Sequence, residues 1–265
     1  MPYRLDILDP PPDALDVLIA LGALDVEPAA GSLAAILPDS VSAATAAGRL
    51  GIAVTRVAVS GAVARDGGSV WLLRPPHVAI GGLRFAPPGA PAPAAAIRLA
   101  DSSAFGTGCH PTTALCLAML SDMLPDSSIH RMLDVGTGSG ILALAALRLG
   151  VPRVVALDTD ETAVRTAAGN ARLNALTGRI SFVAGGPEAV SGLWPLIAAN
   201  ILAAGLIDLA PALVRRAASR GRLILSGIPV ALETDVSKTY TRLGLRHVST
   251  ETQGGWAAVL LATSW

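Results

Sequence analysis

The stretch that decides the fold runs from Leu133 to Ile141 and reads LDVGTGSGI. It joins a short apolar strand, predicted over Met132–Val135, to an apolar helix through three alternating glycines, Gly136, Gly138 and Gly140. Glycine adopts left-handed backbone conformations without steric penalty, and its bare backbone lets amide groups approach a ligand closely. The pattern therefore favours a ligand-binding loop over a tight turn that binds nothing.

The glycine spacing indicates what kind of ligand the loop binds. A dinucleotide-binding loop reads Gly-x-Gly-x-x-Gly, whereas this loop reads Gly-x-Gly-x-Gly, with Asp134 two residues before the first glycine. The third glycine comes one residue too early to shape a pyrophosphate site, and the nearby carboxylate would repel phosphate. Asp134 could instead accept a hydrogen bond from a ligand's ammonium group, directly or through water. S-adenosylmethionine carries an amino-acid tail and no phosphate, so the sequence predicts this cofactor.

A second acid extends the predicted cofactor site. Asp158 follows the predicted strand Val154–Leu157 and lies 22 residues beyond Gly136. In nucleotide-binding α/β domains, an acid at about this spacing accepts hydrogen bonds from ribose hydroxyls. The alternative is that Asp158 caps the following helix, a position that aspartate also favours. Asp160 is the better candidate for that cap, so we assign Asp158 to the ribose.

Strands alternate with helices from about residue 97 onward, which is typical of a parallel sheet with helices on both faces. A hairpin of Leu245–Ser249 and Ala257–Leu261 is predicted to join the edge of this sheet as antiparallel strands. The fold class is therefore α/β, with a doubly wound, Rossmann-like domain. A helix is predicted over Pro11–Leu24 and another over Pro211–Ala218.

The N-terminal residues form a separate unit by pattern. Residues 1–62 are predicted to be a small α+β domain of ferredoxin-like type, although one strand of that arrangement is missing from the pattern. Residues 63–98 are predicted as a β-rich and Pro/Ala-rich linker, because four prolines between Ala86 and Ala96 exclude a helix or a central strand. Residues 99–265 then form the cofactor-binding domain.

Two further segments resemble a known family. AFGTGCHPTT, from Ala104 to Thr113, precedes an apolar helix, and ANILA, from Ala199 to Ala203, follows the fourth strand of the α/β domain. Together with the glycine loop, these segments resemble the PrmA family, the methyltransferases that modify ribosomal protein L11. The resemblance covers about residues 99 to 265 and extends to Trp256 in the last hairpin.

The resemblance implies roles for particular residues. Asn200 falls where related amino-methyltransferases place a polar residue beside the transferred methyl group, so it is the candidate catalytic residue; a helix cap is its alternative role. The loop from Phe105 to Thr113 would fold over the cofactor. The predicted cofactor-binding residues are Phe105, Thr107, Thr113, Asp134, Gly136, Gly138, Asp158 and Asn200.

His110 invites a role as general base because it lies beside the predicted cofactor loop. It also precedes Pro111 in a turn, and the resemblance implies no base there. Methyl transfer from a sulfonium to a neutral amine needs mainly alignment and desolvation. We therefore favour a structural or loop-ordering role for His110.

Composition excludes several other functions. The 20 basic and 20 acidic residues balance, so the chain lacks the positive charge that general nucleic-acid binding needs. Cys109, His110 and Cys116 have no second ligand cluster, so no metal site is expected. Because there is no signal-peptide pattern and prolines and glycines interrupt the uncharged stretches, we expect a cytoplasmic protein without membrane association.

The sequence thus predicts a protein-lysine N-methyltransferase whose acceptor, by resemblance, is ribosomal protein L11. A lysine on another protein, such as an electron-transfer flavoprotein subunit, is the alternative acceptor. A nicotinamide-dependent oxidoreductase would need the longer glycine spacing and a catalytic Tyr, Lys or His. A non-catalytic nucleotide-binding module would be expected to lose Asp158 or the Gly136 loop, and this chain keeps both.

Overall fold

A computed structural model describes most of the 265-residue chain. The described residues are 2–23, 25–29, 32–65, 70–74, 78–86, 88–89, 91–100, 110–124, 129–253 and 255–265.

The N-terminal residues form an antiparallel sheet with helices on one face. Its elements are β1 (Tyr3–Leu8), α1 (Ala14–Ala20), β2 (Asp25–Ala29), β3 (Ser32–Leu37), α2 (Ala43–Arg49), β4 (Val57–Arg65) and β5 (Val70–Arg74). The strand order is β2-β3-β1-β4-β5. Because α1 connects β1 to β2 and α2 connects β3 to β4, the first four strands have the predicted ferredoxin-like arrangement.

One face of this sheet makes the N-terminal core. Leu5 and Ile7 of β1 pack with Leu18 of α1 and Ala46 of α2, and all four are buried. Side chains alternate along a strand, so Arg4, Asp6 and Leu8 face away from the helices. That second face contributes to the cavity described below.

A small sheet follows, made of β6 (Val78–Ile80), β7 (Leu83–Ala86) and β8 (Ile97–Arg98). Two buried asparagines fix the chain that leaves β8. Asn174 accepts from the backbone N of Arg98 at 2.8 Å and donates to its carbonyl oxygen at 2.7 Å. Asn170 accepts from the backbone N of Ala100 at 2.9 Å and donates to the carbonyl oxygen of Ser139 at 2.8 Å. Asn170 therefore links the end of this segment to the glycine loop.

The C-terminal residues build a seven-stranded sheet in the order β11-β10-β9-β12-β13-β15-β14. Its strands are β9 (Arg131–Val135), β10 (Arg153–Asp158), β11 (Ile180–Ala184), β12 (Trp194–Asn200), β13 (Ala217–Pro229), β14 (Leu245–Gln253) and β15 (Trp256–Thr263). The first five are parallel, β15 pairs antiparallel with β13, and the edge strand β14 pairs antiparallel with β15. This confirms the predicted doubly wound sheet and its terminal hairpin.

The order of the strands determines where a ligand can bind. The chain builds outward from β9 to β10 and β11, then crosses to β12 on the other side of β9. In open α/β sheets, ligands bind beyond the carboxyl ends of the strands at such a reversal. Here that point lies between Val135, which ends β9, and Asn200, which ends β12.

Helices cover both faces of this sheet. They are α3 (Pro111–Met123), α4 (Ile141–Arg148), α5 (Glu161–Leu173), α6 (Ala203–Arg216) and α7 (Glu233–Arg242). Met132 belongs to the core beneath α3 and α4, whereas its neighbour Leu133 belongs to the core beneath α6 and α7. Strands buried on both faces explain why the sequence shows continuous apolar runs there. Among the helices of the described ranges, none combines the length and apolar character of a membrane span.

Three details differ from the sequence predictions. The helix predicted over Pro11–Leu24 is too long. α1 starts at Ala14, because the residues before it form a turn closed by the hydrogen bond from the backbone N of Ala14 to the Pro11 carbonyl oxygen at 2.9 Å, and β2 follows α1 and supplies the strand that the pattern lacked. The helix predicted over Pro211–Ala218 exists but has the wrong bounds, since α6 begins at Ala203, contains Pro211 and ends before Ala217, where β13 begins. Helix α7 was not predicted, because it buries only a narrow stripe around Val236 and Tyr240.

Candidate active site

The glycine loop joins β9 to α4 and needs glycine at each alternating position. Gly136, Gly138 and Gly140 have φ values of 70°, 55° and 83°, in the left-handed region that residues with side chains rarely adopt. A side chain at Gly136 would overlap Ile201, and one at Gly140 would lie 3.0 Å from the Ala167 side chain. The loop is therefore pressed between the strand ends and α5, with Gly136 and Gly138 facing a cavity.

Asp134 lies behind this loop. Its side chain is 1% exposed, and its Oδ2 accepts a hydrogen bond from the Thr137 hydroxyl at 2.7 Å. Its Oδ1 is buried and makes no hydrogen bond within the described part of the chain. Burial raises the pKa of Asp134 to about 7, against a smaller lowering by the Thr137 hydrogen bond. Asp134 therefore stabilises the glycine loop from the buried side, and it is not among the residues lining the cavity.

Asp158 ends β10 and lines the cavity. Its Oδ2 accepts from the backbone N of Gly138 and its Oδ1 from the backbone N of Asp160, both at 3.0 Å. The helix cap belongs to Asp160, whose Oδ1 accepts from the backbone N of Thr162 at 2.7 Å. A carboxylate has about four lone-pair sites, so Asp158 can still accept hydrogen bonds from a ligand while it holds the loop.

Asn200 ends β12 on the other side of the glycine loop. Its Nδ2 donates to the Thr113 hydroxyl at 3.3 Å, and its Oδ1 is buried without a hydrogen-bond partner among the described residues. The chain after Asn200 is fixed by the close packing of Ile201 against Gly136 and Gly227. An unpaired buried acceptor costs about 1–3 kcal/mol, so an oxygen held in this way is suited to accept a hydrogen bond from a bound ligand.

His110 precedes α3 and acts as its N-cap. Its Nδ1 accepts from the backbone N of Thr112 at 3.3 Å and lies 2.8 Å from the Thr112 hydroxyl. Its ring packs edge-on against Trp256, with ring centroids 4.9 Å apart. Burial lowers the pKa of His110 to about 4, so the imidazole is neutral near pH 7 and a weak base. These contacts support the structural role over that of general base.

The cavity has a volume of about 530 Å³, within the range of small-molecule sites. Three carboxylates line it, those of Asp6, Asp158 and Asp160, against the single guanidinium of Arg4 among the described lining residues. The resulting net negative charge favours a cationic ligand and disfavours a pyrophosphate. This agrees with the glycine spacing, which also argues against a dinucleotide.

The structure brings most of the predicted site residues together. Gly136, Gly138, Asp158 and Asn200 line one cavity, and Thr113 lies directly behind Asn200. Phe105 and Thr107 lie outside the described residues. The contacts of all these residues with a cofactor stay predictions.

Sequence reasoning missed the cavity wall that comes from the N-terminal sheet. Arg4 and Asp6 of β1, with Ser32 and Ala34 of β3, line the same cavity as the glycine loop. A signal was present: the predicted strand Arg4–Leu8 alternates charged and apolar residues, so its two charges share one face. Nothing in the sequence pattern showed which part of the chain that face would pack against.

The fold and the site together define a class. A doubly wound sheet whose glycine loop and strand-end acid meet at the switch point is the architecture of the class I S-adenosylmethionine-dependent methyltransferases. The chain belongs to the ribosomal protein L11 methyltransferase (PrmA) family, whose family model matches residues 87–263. This confirms the resemblance seen in the sequence.

Individual relatives agree with this assignment. The chain is 44% identical over 167 residues to the ribosomal protein L11 methyltransferase of Pelobacter propionicus, covering 62% of this chain and 54% of that protein. It is 39% identical over 201 residues to that of Myxococcus xanthus, covering 74% and 68%. The crystal structure of ribosomal protein L11 methylase from Lactobacillus delbrueckii subsp. bulgaricus aligns with a TM-score of 0.62 and 30% identity, over 69% of this chain and 95% of that one. The chain thus spans little more than half the length of the first of these relatives.

Proposed function

We propose that this chain uses S-adenosylmethionine to methylate lysine side chains of a protein, and that this protein is ribosomal protein L11. The observation that carries the proposal is the buried Asn200 Oδ1, which has no partner among the described residues and belongs to a side chain lining the same cavity as the glycine loop and Asp158. An acceptor oxygen beside the glycine loop and Asp158 can orient an incoming amine by accepting one of its N–H groups. Family membership supports the same chemistry.

The residues present fit the proposed cofactor. Gly136 and Gly138 let the backbone approach it, Asp158 accepts from its ribose, and the net negative lining suits its positive charge. By resemblance, Phe105, Thr107 and Thr113 belong to the same proposed site. Asp134, which the sequence suggests as an acceptor for the ammonium group of the cofactor, lies behind the glycine loop and does not line the cavity. When bound, S-adenosylmethionine supplies a methyl group on a sulfonium centre that is already activated for displacement.

The chain's own residues then have to present a neutral amine. Asn200 accepts one amine N–H through Oδ1 and is held in position by its hydrogen bond to Thr113. Desolvation of the lysine by the bound acceptor and cofactor favours its neutral form, because desolvation lowers the pKa of its ammonium group. His110 is a poor candidate to take the proton, since burial lowers its own pKa to about 4.

The acceptor is proposed from the relatives and from the chain's organisation. The relatives of Pelobacter and Myxococcus carry the name ribosomal protein L11 methyltransferase. We assign acceptor recognition to residues 1–62, connection to residues 63–98 and methyl transfer to residues 99–265. The N-terminal residues contain none of the cofactor motifs, which is consistent with a domain that binds the acceptor protein.

The test is direct methylation. The purified protein is incubated with recombinant L11 and S-adenosylmethionine labelled in its methyl group, and labelled residues are located by mass spectrometry. We expect label on lysine amines. The Asn200→Ala variant should lower kcat by about 10- to 150-fold, the equivalent of one hydrogen bond in a charged transition state, and should still bind S-adenosylhomocysteine.

Other outcomes have clear meanings. Label on a different protein, such as an electron-transfer flavoprotein subunit added in parallel, would retain the enzyme class and reject L11. Tight NAD binding, with no response to S-adenosylhomocysteine in a calorimetric titration, would reject the class itself.

A further inference from the structure

The face of the N-terminal sheet that carries no helices forms part of the cavity wall. Because opposite residues of an antiparallel pair share a face, the pairing of Asp6 with Ala34 and of Leu8 with Ser32 puts these side chains together. Arg4 lies on the same face of β1 as Asp6. We call Arg4, Asp6, Ser32 and Ala34 the N-terminal wall, since all four line the cavity.

Contacts show which end of the cavity this wall closes. Leu8, next on the same face, packs against the turn between β14 and β15, where a side chain at Gly255 would overlap it. Trp256 follows that turn, lines the cavity and packs against His110. Besides the larger effect of burial, the charge of Asp6 raises the pKa of His110 and that of Arg4 lowers it. Both charges therefore lie near this ring.

His110 in turn belongs to the Asn200 end of the cavity. The backbone N of Thr113 donates to the His110 carbonyl oxygen at 3.0 Å, and the Thr113 hydroxyl accepts from Asn200. Asp158 lies across the glycine loop on β10, two strands from β12. The wall is therefore on the side where the acceptor amine must arrive, not on the ribose side.

Asp6 is the carboxylate of this wall. Its side chain is 13% exposed and that of Arg4 is 24% exposed, with Arg4 Nη2 at 3.0 Å from Asp6 Oδ1. Arg4 Nε also approaches both carboxylate oxygens, at 3.0 and 3.2 Å. Arg4 fixes the orientation of the carboxylate and uses part of its acceptor capacity, which leaves lone pairs for a second donor. The small side chains of Ser32 and Ala34 leave room beside it.

We propose that Asp6 binds the ammonium group of the incoming lysine side chain, and that Arg4 positions the Asp6 carboxylate for this contact. The inference rests on the proposed function and names the group that recognises its substrate. A lysine enters the cavity charged, and removing an ammonium from water costs several kcal/mol unless it is paired. Asp6 offsets that cost inside the cavity, and it also selects a cationic side chain over a neutral or acidic one. The ammonium then gives its proton to solvent water in the cavity, and Asn200 receives the neutral amine.

The experiment compares Asp6→Asn with wild type in the full-length protein. Initial rates are measured against L11 concentration. We expect KM for L11 to rise about 10- to 100-fold, as for a lost hydrogen bond to a charged group, with kcat within about threefold and an unchanged calorimetric Kd for S-adenosylhomocysteine. Asp6→Glu keeps the charge and should restore most of the affinity.

Asp9→Asn is the matched control. Asp9 is exposed, lies just beyond β1 and is not among the residues lining the cavity. The same change of carboxylate to amide three residues away should leave KM unaltered. Thermal unfolding of each variant shows whether the N-terminal sheet is intact.

Two results would overturn the proposal. If Asp6→Asn lowers the melting temperature but leaves KM unchanged, the Arg4–Asp6 pair only stabilises the fold. If it weakens S-adenosylhomocysteine binding, the pair belongs to the cofactor site instead.

A separate titration keeps this test independent of L11. Butylammonium is added to wild type and Asp6→Asn in the presence of S-adenosylhomocysteine, and binding is followed by NMR shifts. Weaker binding by Asp6→Asn supports the proposal even where L11 proves to be the wrong acceptor, and equal binding rejects it.

Discussion

Replacing Asp158 with alanine tests the assignment of the cofactor site most sharply. In the structure its two carboxylate oxygens accept from the backbone N of Gly138 and of Asp160, each at 3.0 Å. Loss of the proposed hydrogen bonds to the ribose should weaken cofactor binding by about 1.5–3 kcal/mol, the range for hydrogen bonds to a charged group. This corresponds to a rise of about 10- to 150-fold in Kd.

The structure also sets the expected effect of Asp158→Ala on folding. The backbone N–H groups of Gly138 and Asp160 lose their acceptor, but Gly138 and Asp160 line the open cavity, where water can replace it. We therefore expect a loss of only about 1–2 kcal/mol in the free energy of unfolding. Isothermal titration with S-adenosylhomocysteine and urea unfolding measure the two quantities separately.

Asp160→Ala is the matched control for this variant. Both aspartates line the cavity, so each substitution removes one negative charge from it. Asp160 caps α5 through Thr162, and losing a cap costs about 1 kcal/mol of stability. We expect its Kd for S-adenosylhomocysteine to stay within about threefold of wild type. Equal Kd effects for the two variants would show that only the cavity charge matters, and an unaltered Kd in Asp158→Ala would refute the ribose assignment.

Two further predictions concern buried polar residues. The pKa of Asp134 is raised to about 7 in the folded protein from an ordinary value of 3.8, so burial of the ionised form should cost stability as pH rises from about 4 through 7. Asp134→Asn removes this cost, and the melting temperature of wild type should therefore fall relative to the variant over that window; parallel curves would contradict the reasoning. Asn170→Ala should lower the free energy of unfolding by about 2–4 kcal/mol, because the buried carbonyl of Ser139 and the backbone N of Ala100 both lose their partner. Urea unfolding checks this against Arg172→Ala, an exposed position on the same helix that should change stability by less than about 0.5 kcal/mol.

The glycine loop shows how much of the site is local chemistry. Three alternating glycines with left-handed φ angles can be predicted because glycine adopts those angles without the steric cost that most side chains impose. The alternation of strands and helices predicts the doubly wound sheet, because the periodicity of apolar residues indicates which faces of each element are buried. Asp158 and Asn200 could be placed at strand ends from their neighbours alone, and the sheet order then brings them to one edge.

The wall of the cavity could not be predicted in this way. Asp6 lies 152 residues before Asp158 in the chain, and local patterns carry no information about which faces of two separate sheets meet. The burial of Asp134 and the pairing of Asn200 with Thr113 likewise depend on packing between distant segments. The sequence by itself therefore determined the cofactor loop and the class of fold, because backbone geometry and periodicity are local properties. Only the tertiary structure decided which charges face the Asn200 end of the cavity, because that depends on how the N-terminal sheet packs against the C-terminal one.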